Sequence, residues 1–148
     1  MKSIFTLCII FSSVLAFGQT KNEQPFQAVM KNDSTKVEAY LNDGADPNFK
    51  IKKGFLEMSM LIWAAQKNEV KIAKLLIQHK VEVDFRDVWK ETALMYAAHF
   101  GNRAIVDLLI ANGADPNAMD DQGNSVLSAA KESKNEELIK LIESLQKN

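Results

Sequence analysis

Apolar residues recur along this chain as couples of short helical stripes. Met60, Leu61, Ile62, Trp63, Ala64 and Ala65 form one compact block, and Ile72, Ala73, Leu75, Leu76 and Ile77 follow at i, i+3, i+4 spacing. The first block predicts a short helix buried on most sides, and the second an amphipathic helix with one buried stripe. The couple returns as Ala93-Leu94-Met95-Tyr96-Ala97-Ala98 with Ile105-Val106-Asp107-Leu108-Leu109-Ile110. It returns again as Val126-Leu127-Ser128-Ala129-Ala130 with Leu138-Ile139-Lys140-Leu141-Ile142. Ala28-Val29 and Val37 to Leu41 make an earlier, looser couple. Ser59, Thr92 and Ser125 precede the first blocks, 33 residues apart. A hydroxyl in that place predicts an N-cap that accepts from orphan backbone N–H groups. The pentapeptides Gly44 to Asn48 and Gly113 to Asn117 are identical, with glycine just past a predicted helix, where a left-handed cap is expected. Lys80 holds that slot in the unit between, and a Cβ there costs up to about 1 kcal/mol relative to glycine. Asp46, Asp84 and Asp115 fall near the unit ends, where their side chains are expected to hydrogen-bond the turns.

A period of 33, with two helices and a turn per unit, resembles the ankyrin repeat. The segments starting at Ser59, Thr92 and Ser125 fall on its Thr-Pro-Leu-His-x-Ala signature. They depart from it at the proline (Met60, Ala93, Val126) and at the histidine (Ile62, Met95, Ser128). The lost histidines imply a weakened polar network between repeats. The resemblance covers Pro25 to the C-terminus and implies an all-α solenoid of four helix-turn-helix units with short hairpin-like connecting loops. The repeats are expected at about 25–48, 49–84, 85–117 and 118–148. No such unit buries its apolar face alone, so the units must stack. Lys131, Glu132, Lys134, Glu136 and Glu137 suit a C-terminal cap that faces water. Gly44 and Lys80 lie 36 residues apart, against 33 from Lys80 to Gly113, so three extra residues enter the first connection near Lys53 to Met58, with Gly54 marking the turn. Such an insertion is expected either on the binding face or tucked against the first repeat.

The N-terminus has a different pattern. Met1-Lys2 is followed by an apolar run from Ile4 to Phe17, shorter than the roughly 20 residues of a membrane-spanning helix. A positive start, a short apolar core and the small residues Ala16 and Gly18 predict a secretory signal peptide over 1–18, cut before Gln19. The alternatives are a buried N-terminal helix or an uncleaved anchor. Residues 19–24 read as a short polar linker and 25–148 as the repeat domain. Cys8, the only cysteine, sits inside the apolar core rather than at its end, which does not fit a lipoprotein.

Composition narrows the function classes. The chain has 148 residues, 47% apolar and 25% charged, which is ordinary for one globular domain and excludes collagen-like, disordered and disulfide-rich classes. A net charge of −1 argues against nucleic acid as a partner. One cysteine excludes an intrachain disulfide and a cysteine zinc site. The chain has no Gly-rich phosphate loop, His-Glu-x-x-His or Gly-x-Ser-x-Gly motif, and His79 and His99 are expected as surface residues. No catalytic residue, cofactor or metal is expected.

The resemblance implies a concave face made of loop tips and first helices. Its partner-contacting slots map to Phe55, Leu56 and Met58 in the insertion, Gln66 and Lys67, then Val88, Trp89, Glu91, His99 and Phe100, and then Asp121 and Gln122. Asn124, Glu132 and Ser133 complete the slots of the fourth repeat. Trp63 and Tyr96 hold a slot expected in the core. Lys50, Lys52 and Lys53 make one end basic, and Asp120, Asp121, Glu132, Glu136 and Glu137 make the other acidic, a polarity read first as solvating charge. The expected function is non-enzymatic binding of a protein partner outside the cytoplasm, in the periplasm or secreted, through the concave face centred on the second and third repeats. The chain is expected to act as a monomer, with no membrane insertion once the signal is cut. Resemblance to small exported bacterial ankyrin-repeat proteins implies two settings: support of a catalase-type oxidative-stress defence, or inhibition of a toxin or enzyme as an immunity protein. Alternatives are a small-ligand carrier, which needs a deep pocket, and a structural protein that self-associates through its repeat ends.

Overall fold

The computed structural model of the chain describes residues 24–53 and 56–146. The expected signal peptide, nearly all of the expected linker, Gly54 and Phe55 lie outside the described residues. Helices follow one another in couples: α1 (24–30) with α2 (Ser34–Asn42), α3 (Met60–Lys67) with α4 (Val70–Gln78), α5 (Ala93–His99) with α6 (Arg103–Ala111), and α7 (Val126–Glu132) with α8 (Glu136–Leu145). The first helices form one row, α3 on α5 and α5 on α7, and the second helices another, α2 on α4 and α4 on α6. This is the mostly helical repeat solenoid that the periodicity predicts.

Local chemistry sets where each couple begins. Ser59 Oγ accepts from the Ile62 N–H at 3.1 Å, Thr92 Oγ1 from Met95 at 3.3 Å, and Ser125 Oγ from Ser128 at 3.2 Å. Ser128, at the signature-histidine slot, returns the favour by accepting the Ser125 N–H at 2.8 Å, which closes a capping box. Ala64, Ala65, Ala97 and Ala98 are fully buried and let the first helices approach closely. One apolar core runs from Phe26 to Ile142 through all four couples. Each fully buried Leu or Ile in it contributes roughly 1.5–3 kcal/mol. Trp63 and Tyr96 pack against this core but are only half-buried.

The first connection is more regular than a loop. β1 (Lys50–Lys53) pairs antiparallel with β2 (Leu56–Ser59), with Ile51 opposite Met58 and Lys52 opposite Glu57. The three extra residues supply the length for two strands. Their alternation puts Ile51 and Met58 against the core and leaves Lys52 and Glu57 to pair at 3.5 Å. An isolated hairpin is marginal in water, so core packing holds this one.

The repeats are also joined by polar rungs. Asn48 Oδ1 accepts the Glu82 N–H at 2.7 Å, Asp84 Oδ1 the Asp115 N–H at 3.2 Å, and Gln146 Nε2 donates to the Pro116 carbonyl at 3.0 Å. Asn102 Nδ2 donates to the Ala65 carbonyl at 2.7 Å. Asp46 and Asp115 accept from Asn48 and Asn117 within their own turns at 2.8 and 2.9 Å. The links between repeats are thus carried by side chains of the loops and of the second-helix starts rather than by signature histidines. Among the described residues, no helix is long and apolar enough to cross a membrane.

Candidate partner-binding face

The tip before α5 is built around Asp87. This aspartate is only 4% exposed. Its Oδ1 accepts the N–H groups of Trp89 and Glu91 at 2.9 and 3.0 Å, and its Oδ2 accepts the Tyr96 hydroxyl at 2.9 Å. A buried carboxylate is tolerable here because three donors satisfy it. The next tip repeats the device 33 residues on. Asp120 accepts the N–H groups of Gln122 and Asn124 at 2.9 and 2.8 Å and the Asn124 side-chain amide at 2.8 Å. Each tip needs one residue at positive φ, Gly123 at +83° and Lys90 at +66°. The tips are tied together. The Asp121 N–H donates to the Trp89 carbonyl at 3.2 Å, and Arg86 Nη1 to the Met119 carbonyl at 2.8 Å.

Between the two tips lies an open cleft of about 370 Å³, lined by Trp89, Glu91, Tyr96, Asp120, Gln122 and Asn124. Burial pushes the Glu91 carboxyl above its ordinary value, and the charges of Asp87 and Asp120 push the same way, against a hydrogen bond with Tyr96. Burial, followed by the Asp87 and Glu91 charges, pushes the Tyr96 phenol well above its ordinary range, so it stays a donor. Burial works to raise Asp120 too, but hydrogen bonds from the Asn124 side chain and the backbone of Asn124, Gln122 and Gly123 hold it below the usual value.

The structure brings Trp89, Glu91 and Gln122 together at this cleft, with Asp121 on its rim. Trp89 and Val88 are each 37% exposed and Phe100 is 48% exposed, at opposite ends of α5. The His99 ring packs edge-on against Phe100 at 4.8 Å, and its Nδ1 lies 2.9 Å from the Glu132 carboxylate on the next repeat. Gln66 is half-buried, and Lys67 is exposed with its Nζ 5.5 Å from the Trp63 ring centre. Met58 leans on the core, Leu56 lies on β2, and Phe55 lies outside the described residues. At the basic end of the face, Lys50 Nζ stands 3.9 Å from Glu82 and 3.9 Å above the Phe85 ring. Sequence reasoning missed Asp87 altogether and counted Asp120 only as charge. The available signal was their 33-residue spacing, each five residues before a helix-capping hydroxyl. Among the described residues, no group of His, Cys, Asp or Glu is placed to hold a metal ion.

A family model described as ankyrin repeats (3 copies) matches residues 26–120 and 90–147. The chain belongs to the ankyrin-repeat family. A protein of Treponema pallidum (strain Nichols) named for its ankyrin repeats is 32% identical over 133 residues, 88% of this chain and 44% of that protein. An ankyrin repeat protein of fowlpox virus (strain NVSL) is 38% identical over 93 residues, 63% of this chain and 14% of the viral one. A palmitoyltransferase of Homo sapiens is 38% identical over 77 residues, 51% of this chain and 12% of that enzyme. The chain spans less than half the length of each of these relatives. Ankyrin repeats are generally protein–protein interaction modules, and the family is typically non-enzymatic.

Proposed function

We propose that this ankyrin array is an exported, monomeric, non-enzymatic module that docks a partner protein on the face formed by the third and fourth tips and the two ends of α5. One observation carries the reading: Trp89 and Phe100 stand exposed at the two ends of α5, and the tip that carries Trp89 is braced from beneath by Asp87. Exposed aromatic side chains are the usual anchors of interfaces, and a preformed surface loses little conformational entropy on docking. Export rests on the charge and apolar pattern of residues 1–18, and the periplasm is the compartment we favour. The partner settings implied by the family resemblance, catalase-type defence and inhibition of a toxin or enzyme, call for different prey.

Crosslinked capture from the periplasmic fraction of the source organism tests this reading. The parent chain is compared with a Trp89→Ala, Phe100→Ala double variant of unchanged circular dichroism. The expected result is a specific prey whose capture falls at least about tenfold in the variant, as loss of two aromatic anchors predicts. The identity of the prey then separates the two settings. Equal capture by both proteins would sink the placement of the face.

A further inference from the structure

The cleft between the third and fourth tips combines three features that select one kind of occupant. First, it sets an aromatic wall, Trp89, beside two carboxylates, Glu91 and Asp120, with the buried Asp87 carboxylate beneath the Trp89 tip. Second, its backbone donors are spent. The N–H groups of Trp89 and Glu91 point at Asp87, and those of Gln122 and Asn124 at Asp120. The opening therefore offers the Glu91 carboxylate, the lone pairs that Asp120 keeps after its three turn hydrogen bonds, and an aromatic surface, which suits a cation and repels an anion. Third, its charge is not neutralised internally. Among the described residues Asp87, Glu91, Asp120 and Asp121 enter no ion pair, whereas Lys50 and Lys52 at the other end of the face are paired. Of the nearby cationic groups, Lys90 is exposed on the tip, the Arg86 guanidinium donates to the Met119 carbonyl, and His99 sits against Glu132.

We infer that this cleft is a socket for an arginine side chain presented by the partner protein, its guanidinium lying on Trp89 and donating to Glu91 and Asp120. The inference rests on the partner-binding reading above and specifies its chemistry. A planar guanidinium stacks on an indole while its edges reach carboxylates, a combination that lysine meets less well. The cleft volume of about 370 Å³ falls in the range of about 300–1,000 Å³ typical of ligand sites. Burial, and then the Asp87 and Asp120 charges, already push the Glu91 carboxyl up, and a cation seated there offsets that repulsion.

The test is a nuclear magnetic resonance titration of the ¹⁵N-labelled chain with the peptide acetyl-Gly-Arg-Gly-amide. The same peptide with citrulline, which keeps the shape and loses the charge, serves as the control. The expected result is saturable shifts of the Trp89 indole and the Glu91, Gln122 and Asn124 amides with the arginine peptide alone. Glu91→Gln is expected to weaken that binding about tenfold, and Asp120→Asn, which keeps an oxygen for the turn, to do the same. If Asp120→Asn disturbs the fold, Glu91→Gln alone decides. Equal shifts with citrulline, shifts confined to other residues, or none up to about 10 mM peptide would overturn the socket. The two readings fail separately. Capture lost on Trp89→Ala, Phe100→Ala with arginine and citrulline behaving alike leaves the face and removes the socket. Capture indifferent to that double variant removes the face itself.

Discussion

Asp87 shows how much one side chain decides. Its carboxylate holds two tip amides and the Tyr96 hydroxyl, so the conformation of residues 87–91 is set from below and Trp89 is left outside. Glu91 stands on the same tip with the opposite balance. Burial and two neighbouring carboxylates raise its pKa above the ordinary 4.5, so the folded state holds the Glu91 proton more tightly than the unfolded state does. Its stabilising contribution is therefore complete below about pH 4.5 and is lost as the pH rises through the folded value. Glu91→Gln removes this cost of ionisation. The variant is expected to be at least as stable as the parent near neutral pH, with its advantage shrinking as the pH falls and gone at pH 4. Urea unfolding across that range is the measurement. An advantage that grows toward low pH would contradict the assigned environment.

At the scale of the element, each of the first three units is punctuated by a left-handed residue after its second helix. Gly44 and Gly113 take φ of +80° and +87°, and Lys80 takes +64°. Lys80 is exposed, so its side chain gives little back for that conformation. Lys80→Gly is expected to raise stability by up to about 1 kcal/mol, read as a higher urea midpoint at unchanged slope. An unchanged or lower midpoint would show that the lysine conformation carries no cost. The helices, their hydroxyl caps and this slot were legible in the sequence because each follows from residues within a few positions. The β1–β2 hairpin was not. Lys50 to Ser59 shows three extra residues, but strand pairing depends on what Ile51 and Met58 find beneath them. Asp87 was illegible for a related reason. An aspartate in a loop reads as solvated until the packing of α5 brings Tyr96 over it. Exposure of Trp89 and Phe100 could be read from register, whereas the cleft with Asp120 needed two tips in space.

At the scale of the whole molecule, no couple closes a core of its own. Leu138 and Ile142 on α8 are fully buried in the same cluster as Phe26. Leu138→Ala is expected to cost about 2–5 kcal/mol and to lower the unfolding midpoint of the entire array. Tryptophan fluorescence, from Trp63 and Trp89 in the middle couples, and helical circular dichroism should shift together. Loss of helix signal ahead of an unchanged fluorescence transition would show that the last couple unfolds alone.

The polar rungs between repeats have a consequence for heredity. Asn48 reaches Glu82, Asp84 reaches Asp115, and Gln146 reaches Pro116, each between adjoining units. Asn48 and Asp84 hold corresponding slots, as do Glu82 and Asp115, so the second unit carries both halves of one rung, and an in-frame copy of that unit sets Asp84 opposite a second Glu82 N–H. The last seam is of another kind, because there Gln146 donates to the Pro116 carbonyl, so the same copy made at the C-terminal end would not find its partner. The hairpin between α2 and α3, with its three additional residues, lies inside the second unit and travels with such a copy.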